Sequence, residues 1–257
     1  MINKKFSFLS DGWKIYGEIF LPQQIKKPYP GLIICHGLPG KVRSPDDKGY
    51  PYLAEFFGRE GFLVLIFNFR GTGLSEGHFD ILGWARDLER ALEFICTYPE
   101  VDTGNILLMG FSAGAAVSLY IAAKHQEIKG IISCAAPAEF AELKTEKGQE
   151  EFLTYAREVG IIKDVNFPSS LADWVEGFKV IAPSAWVQLI PPRPLLIIHA
   201  EDDEVVKVSH AYELYKRVYG KADLLILPRG GHRLRLQESV MREALLWAKK
   251  IAFSTQK

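Results

Sequence analysis

The alternation of short apolar runs with amphipathic segments constrains the fold of this chain more than any other feature. The apolar runs read FLVLIFNF, NILLMG, IKGIISCAAP, PLLIIHA and ADLLILP, and stretches with apolar residues at helical spacing separate them. A run this apolar is typical of a strand that is covered on both faces. Strands that alternate with helices predict an α/β fold, with a mostly parallel sheet and helices on both of its faces.

Two segments depart from this alternation. Near the amino terminus, FSFLS and WKIYGEIFLP flank Asp11-Gly12, a pair that predicts a tight hairpin turn. From about Ala138 to Ile190 the sequence is helical and rich in aromatic residues, and it has no long strand. We therefore predict a core formed by residues 1–137 and 191–257, and a small, mainly helical cap inserted at residues 138–190 over one end of the sheet.

Composition limits the class of protein. The 257 residues are 48% hydrophobic, and 31 acidic residues balance 31 basic ones. The sequence therefore lacks the excess of positive charge that would indicate a nucleic-acid or membrane partner. The six histidines are scattered and do not predict a metal site. The three cysteines are far apart, as in proteins of reducing compartments. Without a signal-peptide or membrane-spanning stretch, we expect a cytoplasmic protein.

The segment NILLMGFSAGAAVS carries the strongest indication of chemistry. Residues 110–114, GFSAG, follow a strand directly and open a helix of small residues. A serine in such a sharp turn leaves no room for side chains two residues away, and its hydroxyl stands at a helix N-terminus that favours developing negative charge. We predict that Ser112 is a nucleophile, with a helix N-cap as its alternative role. Residues 73–77 match the same pattern without that context, so we expect Ser75 not to be the nucleophile.

Four carboxylates stand side by side in HAEDDEVV, residues 199–206, at the end of an apolar strand. Like charges this close repel one another, although water screens the repulsion at a surface. A carboxylate drawn inside the protein would need a partner. The residues alone therefore leave two interpretations open: a solvated acidic turn, or one acid that turns inward to do chemistry.

Several motifs follow one another along the chain in a fixed order: HGLPG (36–40), NFRGTGLSEG (68–77), GFSAG, HAEDDEVV and GGH (230–232). Together they resemble the α/β-hydrolase family, and the resemblance covers nearly the full length of the chain. The order of serine, acid and histidine is the one that this family uses. By overall pattern the chain is most similar to the branch of small carboxylesterases, feruloyl-type esterases and serine aminopeptidase-like hydrolases.

The resemblance implies a catalytic triad. The family's acid segment usually reads His-Gly-Asp-x-Asp-x-x-Val, which places the triad acid on Asp203, although this chain has Ala200 where glycine is usual. His232, in a glycine-rich loop, then becomes the general base for Ser112. Some relatives take the acid from the end of an earlier strand, and Glu139 is the alternative acid for that reason.

The same resemblance assigns the remaining groups of the site. Asp202 and Glu204 are expected to face water, and Glu201 to cap local backbone N–H groups. The two oxyanion donors are expected to be the backbone N–H groups of Leu38 and Ala113. No metal or organic cofactor is implied.

The implied function is carboxylic ester hydrolysis by a carboxylesterase-type serine hydrolase that forms an acyl-enzyme. Aminopeptidase or acylaminoacyl-peptidase action is the alternative, followed by thioesterase action, and a non-catalytic ligand-binding protein is the alternative of a different class. The partner is a small ester, with an aromatic or medium-length acyl group as one option, and homodimer formation is left open. Aromatic side chains of the insertion either line an apolar acyl pocket or only pack the insertion onto the core; they are Phe140, Phe152, Tyr155, Trp174, Phe178 and Trp186.

Overall fold

The central element is a sheet of eight strands in the order β1-β2-β4-β3-β5-β6-β7-β8. The structure is a computed structural model that describes residues 1–23, 27–41 and 47–254. Strand β2 runs antiparallel to both of its neighbours, and β3 to β8 are parallel to one another, which confirms the predicted α/β fold. The strands are β1 (Ile2–Ser10), β2 (Trp13–Leu21), β3 (Tyr29–Cys35), β4 (Leu63–Phe67), β5 (Val101–Phe111), β6 (Ile128–Cys134), β7 (Leu195–Ala200) and β8 (Asp223–Leu227).

Helices cover both faces of the sheet. Within the described ranges they are α1 (Gly49–Arg59), α2 (Ile81–Ile95), α3 (Ala113–Lys124), α4 (Glu146–Glu158), α5 (Leu171–Ile181), α6 (Ser209–Arg217) and α7 (Glu238–Ala252). Helices α1 and α7 bury apolar residues in the core on one face, while α2, α3 and α6 do so on the other. Each fully buried Leu or Phe contributes roughly 1.5–3 kcal/mol, so both faces stabilise the sheet.

Strands β1 and β2 form the predicted hairpin. Ser10 pairs with Trp13, and the two residues between them have positive φ angles, 51° at Asp11 and 83° at Gly12. Positive φ at both central residues is typical of a type I′ turn, whose twist matches that of the strands. The turn is held to the body of the protein by Arg70, whose guanidinium donates to Asp11 and to Ser10, each at 3.0 Å.

The segment 138–190 lies between β6 and β7 and contains α4, α5 and three short 3-10 helices, at Ala141–Lys144, Pro183–Ala185 and Val187–Leu189. It packs on the side of the sheet that α2 and α3 cover. The indole N–H of Trp174 donates to the carbonyl of Phe79 at 3.0 Å. Trp186 meets Tyr120 of α3 edge-on, with 5.1 Å between ring centroids. The division of this segment from the core as a cap stays a prediction.

The cysteines lie in different surroundings. Cys35 and Cys134 are buried, Cys96 is exposed, and all three are free thiols. Burial raises the pKa of Cys35 to about 12, so this thiol stays protonated near neutral pH. In the described ranges, no helix is long and apolar enough to span a membrane, and no group of side chains is arranged to hold a metal ion.

Candidate active site

Ser112 occupies a strained turn between β5 and α3. Its backbone has φ 53° and ψ −125°, a conformation that side-chain-bearing residues rarely adopt. The glycines around it are required by close packing. A Cβ on Gly114 would lie 2.2 Å from the carbonyl oxygen of His36, and one on Gly110 would lie 2.5 Å from Cα of Ala115. Gly114 is therefore required by the approach of the elbow to the end of β3, and Gly110 by the approach of the start of α3.

The hydroxyl of Ser112 does not cap α3, because its side chain makes no capping hydrogen bond to that helix. It lies instead 3.0 Å from Nε2 of His232. Ser75, the second serine of the same pattern, is buried and serves the fold. Its hydroxyl donates to the carbonyl of Asn68 at 2.6 Å and accepts from the N–H of Tyr16 at 3.0 Å. Of these two serines, Ser112 is the one whose hydroxyl lies within hydrogen-bond distance of a histidine.

Asp203 follows β7 and is buried. His232 Nδ1 donates to its carboxylate, at 2.9 Å from Oδ2 and 3.1 Å from Oδ1. The backbone N–H groups of Val205 and Val206 donate to Oδ1 at 2.9 and 2.8 Å. Burial alone would raise the pKa of Asp203, but hydrogen bonds from His199, His232 and the Val206 N–H outweigh it and hold that pKa well below its usual range. The group is therefore a carboxylate at neutral pH.

A second histidine lies behind this carboxylate. His199 is fully buried, and its Nε2 lies 2.7 Å from the carbonyl of Val206 and 3.3 Å from Oδ2 of Asp203. Its Nδ1 has no hydrogen-bond partner among the described residues. The motifs of the sequence assign no role to His199. Its place four residues before the acid was the available signal that it flanks the same carboxylate.

The other acids of the run are exposed, but they do not all simply face water. Asp202 is exposed, as expected, and its Oδ1 also accepts from the N–H groups of Gly230 and Gly231, each at 2.8 Å. The backbone N–H of Glu201 donates to the carbonyl of Leu227, the last residue of β8, at 2.8 Å. The acidic run is thus hydrogen-bonded to the chain that leads from β8 to the histidine.

Glu139, the alternative acid, is exposed and forms an ion pair with Lys144 at 2.8 Å. The side-chain partners of His232 are the carboxylate of Asp203 and the hydroxyl of Ser112. The geometry therefore favours the later acid over the earlier one.

The loop after β3 passes directly over the elbow. A Cβ on Gly37 would lie 2.9 Å from Cβ of Ser112, so the backbone next to Leu38 runs beside the hydroxyl. His36 anchors this loop: its Nδ1 donates to the carbonyl of Gly37 at 2.7 Å, and its Nε2 accepts from the N–H of Phe69 at 3.1 Å. Burial lowers the pKa of His36 to about 4, so the ring is neutral near pH 7. It holds the loop in place and is not a base.

The chain matches the model of the family described as alpha/beta hydrolase fold over residues 30–168, more than half of its length. The chain belongs to this family. This membership confirms the family that the motifs indicated.

This α/β hydrolase is also similar to individual proteins, in sequence to one relative and in structure to others. YfhR of Escherichia coli strain K12 is 25% identical over 204 residues, which cover 78% of this chain and 62% of YfhR. The chain therefore spans less than two thirds of that relative. The crystal structure of GrgF, an alpha/beta hydrolase from Penicillium sp. sh18, superposes with a TM-score of 0.75 at 20% identity, covering 99% of this chain and 100% of GrgF. The esterase domain of a Rhodothermus marinus protein gives 0.72 at 19%, covering 98% and 100%. At these identities the two structures show a shared fold.

Helix α4 connects the segment 138–190 of this α/β hydrolase to the loop after β3. The hydroxyl of Tyr155 donates to the carbonyl of Pro39, and Lys41 pairs with Glu158 at 2.5 Å. Tyr155 is half-buried, whereas both members of the ion pair are exposed. The helix is therefore in direct contact with the backbone that carries the Leu38 N–H.

The aromatic residues of segment 138–190 divide into two groups. Trp174 and Phe178 are 4% and 2% exposed, and both rings pack against Phe79 of the core. Their burial favours the packing interpretation for these two. The half-buried aromatic residues are Phe140, Phe152, Tyr155, Phe167 and Trp186.

Proposed function

We propose that this α/β hydrolase is a carboxylesterase-type serine hydrolase that cleaves small carboxylic esters through an acyl-enzyme. One observation carries the proposal: a continuous hydrogen-bonded line runs from Ser112 Oγ to His232 at 3.0 Å and from His232 to Asp203 at 2.9 Å. A serine hydroxyl is a weak nucleophile, and it becomes effective when a positioned base accepts its proton.

Each step of the reaction follows from this line. Ser112 Oγ attacks the ester carbonyl carbon while its proton passes to Nε2 of His232. Asp203 accepts the hydrogen bond from Nδ1 and stabilises the imidazolium that forms. His232 returns the proton to the alkoxy oxygen as the carbon–oxygen bond breaks, which releases the alcohol and leaves an acyl group on the serine. Water then attacks the acyl carbon while one of its protons passes to His232. His232 gives this proton to Oγ of Ser112 as the bond between that oxygen and the acyl carbon breaks, which releases the carboxylic acid and restores the serine.

The negative charge of the tetrahedral intermediate requires donors that are already in place. We assign this role to the backbone N–H groups of Ala113, the first residue of α3, and of Leu38, in the loop that passes over Ser112. Neither N–H donates to another protein group in the described part of the chain. The close approach of Gly37 to Ser112 supports this assignment.

We assign acyl-group contact to Phe152 and Tyr155, because both project from α4, the helix that is hydrogen-bonded to the loop after β3. Their rings are neighbours, with centroids 6.0 Å apart. The fold shared with the Rhodothermus marinus esterase domain supports an ester as substrate. An aromatic or medium-length acyl group suits an apolar wall of this kind.

The test is a panel of nitrophenyl esters, amides and thioesters given to the purified protein, to Ser112→Ala and to the matched control Ser75→Ala. We expect ester turnover by the wild type and a loss on the order of 10⁶ in kcat for S112A. S75A is expected to keep its turnover per folded molecule. A fluorophosphonate reagent should label the wild type at Ser112 and leave S112A unlabelled.

Three outcomes would change the assignment. If S112A hydrolysed the ester at the wild-type rate, Ser112 would not be the nucleophile. Faster cleavage of amides or thioesters than of esters would favour the peptidase or thioesterase alternative. A wild-type protein that neither hydrolyses any member of the panel nor reacts with the fluorophosphonate would be a non-catalytic ligand-binding member of the family.

A further inference from the structure

The loop that carries His232 contains a pair of glycines directly before it. Residues 228–233 lie between the end of β8 and the short 3-10 helix Leu234–Leu236. Gly231 has a φ of 59°, in the left-handed region, which glycine adopts at low cost. The same freedom allows such a loop many other conformations. A general base must stay within about 0.5 Å of its productive position, so the loop needs an external hold.

Asp202 supplies that hold. The N–H groups of Gly230 and Gly231 both donate to its Oδ1, each at 2.8 Å. Successive N–H groups that include a left-handed residue form a concave site for a negatively charged oxygen. The contact therefore selects the loop conformation in which both N–H groups point toward the acid run.

The residues on either side of Asp202 are also held by hydrogen bonds. The N–H of the preceding residue, Glu201, donates to the carbonyl of Leu227 at the end of β8. The carboxylate of the following residue, Asp203, accepts the N–H groups of Val205 and Val206. Adjacent acids thus hold the histidine loop at two points, one through its backbone and the other through the imidazole.

We propose that Asp202 is a positioning residue for His232. Its Oδ1 fixes the backbone of Gly230 and Gly231, and this keeps Nε2 of His232 at hydrogen-bond distance from the hydroxyl of Ser112. Asp202 contacts neither the substrate nor the reacting atoms. Its expected effect on turnover rests on the proposed esterase function, whereas its effect on the loop does not.

Variants that separate the acceptor atom from the charge test this role. Asp202→Ala removes the acceptor, Asp202→Asn keeps an oxygen at the same place without the charge, and Glu201→Gln is the control that removes a neighbouring exposed charge. We expect D202A to lower kcat for an activated ester about 10- to 100-fold with little change in KM, because misplacement of a catalytic group by about 1 Å costs this much. D202N and E201Q should stay within a few-fold of the wild type.

A second readout needs no turnover. In protein labelled with ¹⁵N-histidine, the Nδ1 proton that His232 shares with Asp203 should give a far-downfield resonance, assigned by its absence in His232→Ala. We expect this resonance to persist in D202N and E201Q and to broaden or vanish in D202A. Should D202A be poorly folded, Asp202→Leu removes the acceptor at similar volume and takes its place.

A D202A protein with wild-type kcat and an unchanged resonance would overturn the proposal. Equal damage in D202N and D202A would also overturn it, because the charge and not the acceptor atom would then matter. If the wild type hydrolyses no ester while the resonance follows the expected pattern, the esterase assignment fails and the positioning role stands.

Discussion

At the scale of single residues, the candidate site depends on which of several adjacent carboxylates turns inward. Asp203 is buried because backbone N–H groups and two histidines surround it, while its neighbours in the acidic run remain exposed. A carboxylate held in this way keeps Nδ1 of His232 protonated and leaves Nε2 free to accept a proton.

Asp203→Asn should lower kcat by roughly 10⁴, because an amide in this position favours the wrong imidazole tautomer. The matched control is Glu139→Gln, which removes an exposed acid whose partner is Lys144. Its kcat should remain near that of the wild type. Steady-state kinetics on one activated ester decides the question, and a severe effect of E139Q with a mild effect of D203N would reverse the assignment of the acid.

The pKa of His36 predicts a pH-dependent stability. Burial lowers this pKa to about 4 in the folded state, whereas the unfolded value is about 6.5. The unfolded chain therefore takes up the proton first, so the stabilising contribution is complete above about pH 6.5 and is lost as the pH falls toward 4. Between about pH 7.5 and pH 5, urea unfolding should show a loss on the order of 2 kcal/mol that is missing in His36→Gln. Equal pH dependence in the two proteins would contradict this.

At the scale of secondary structure elements, α4 links the segment between β6 and β7 to the loop after β3. The hydroxyl of Tyr155 and the side chain of Glu158 reach that loop from the same face of the helix, one turn apart. Movement of α4 would therefore be transmitted to the backbone next to Leu38.

Tyr155→Phe should lower kcat about tenfold or more with a smaller change in KM, because the loop that carries the proposed oxyanion donor Leu38 loses one of its hydrogen bonds. Glu158→Gln is the control, since an exposed ion pair contributes only about 0–1 kcal/mol. The kcat and KM of both variants on the same ester provide the measurement. A Y155F enzyme within twofold of the wild type would show that the loop holds its position without α4.

The two groups of aromatic residues should respond differently to truncation. Trp174→Ala should lower the free energy of unfolding by about 3–5 kcal/mol, as expected for a buried aromatic residue, without changing the order of preferred esters. Phe152→Ala should shift the preference between neighbouring acyl lengths by about tenfold or more. Catalytic efficiencies on acetyl, butyryl and octanoyl esters measure this shift. Equal losses across that series for F152A would place Phe152 with the packing residues.

At the scale of the whole molecule, Arg70 joins the amino-terminal hairpin to the body of the fold. Its guanidinium pairs with Asp87 of α2 at 2.7 Å and donates to Asp11 and Ser10 at the turn. The carboxylate of Asp87 is fully buried and also accepts the backbone N–H of Arg70 at 2.8 Å. An ion pair so completely hydrogen-bonded is costly to break, because each partner left alone is a buried charge.

Asp87→Ala should therefore reduce the free energy of unfolding by about 3–5 kcal/mol. The exposed pair of Arg59 and Glu55 in α1 provides the comparison, and Glu55→Gln should change stability by less than about 1 kcal/mol. Chemical denaturation of the two variants measures both effects. Turnover per folded molecule should be unchanged in D87A. If the free energy of unfolding of D87A were close to that of the wild type, the hairpin would be held by packing alone.

Features of the fold that depend on neighbouring residues were readable from the amino-acid order. Apolar runs predicted the strands, Asp11-Gly12 predicted the hairpin turn, and the glycines of residues 110–114 predicted a sharp elbow. Each of these depends on local backbone geometry or on side-chain period, which a few consecutive residues specify. The motif order, together with the family resemblance that it supports, also predicted that Asp203 and His232 are partners.

Tertiary structure decided the relations between distant residues. Asp202 and Asp203 have the same charge and are adjacent in the chain, yet one binds the backbone of Gly230 and Gly231 and the other binds the imidazole of His232, 28 and 29 residues away. Likewise, Trp174 and Phe152 belong to one aromatic segment, but the first is buried and the second is only half-buried. Composition and period cannot distinguish such pairs, because hydrogen bonding and burial depend on which parts of the folded chain come together around them.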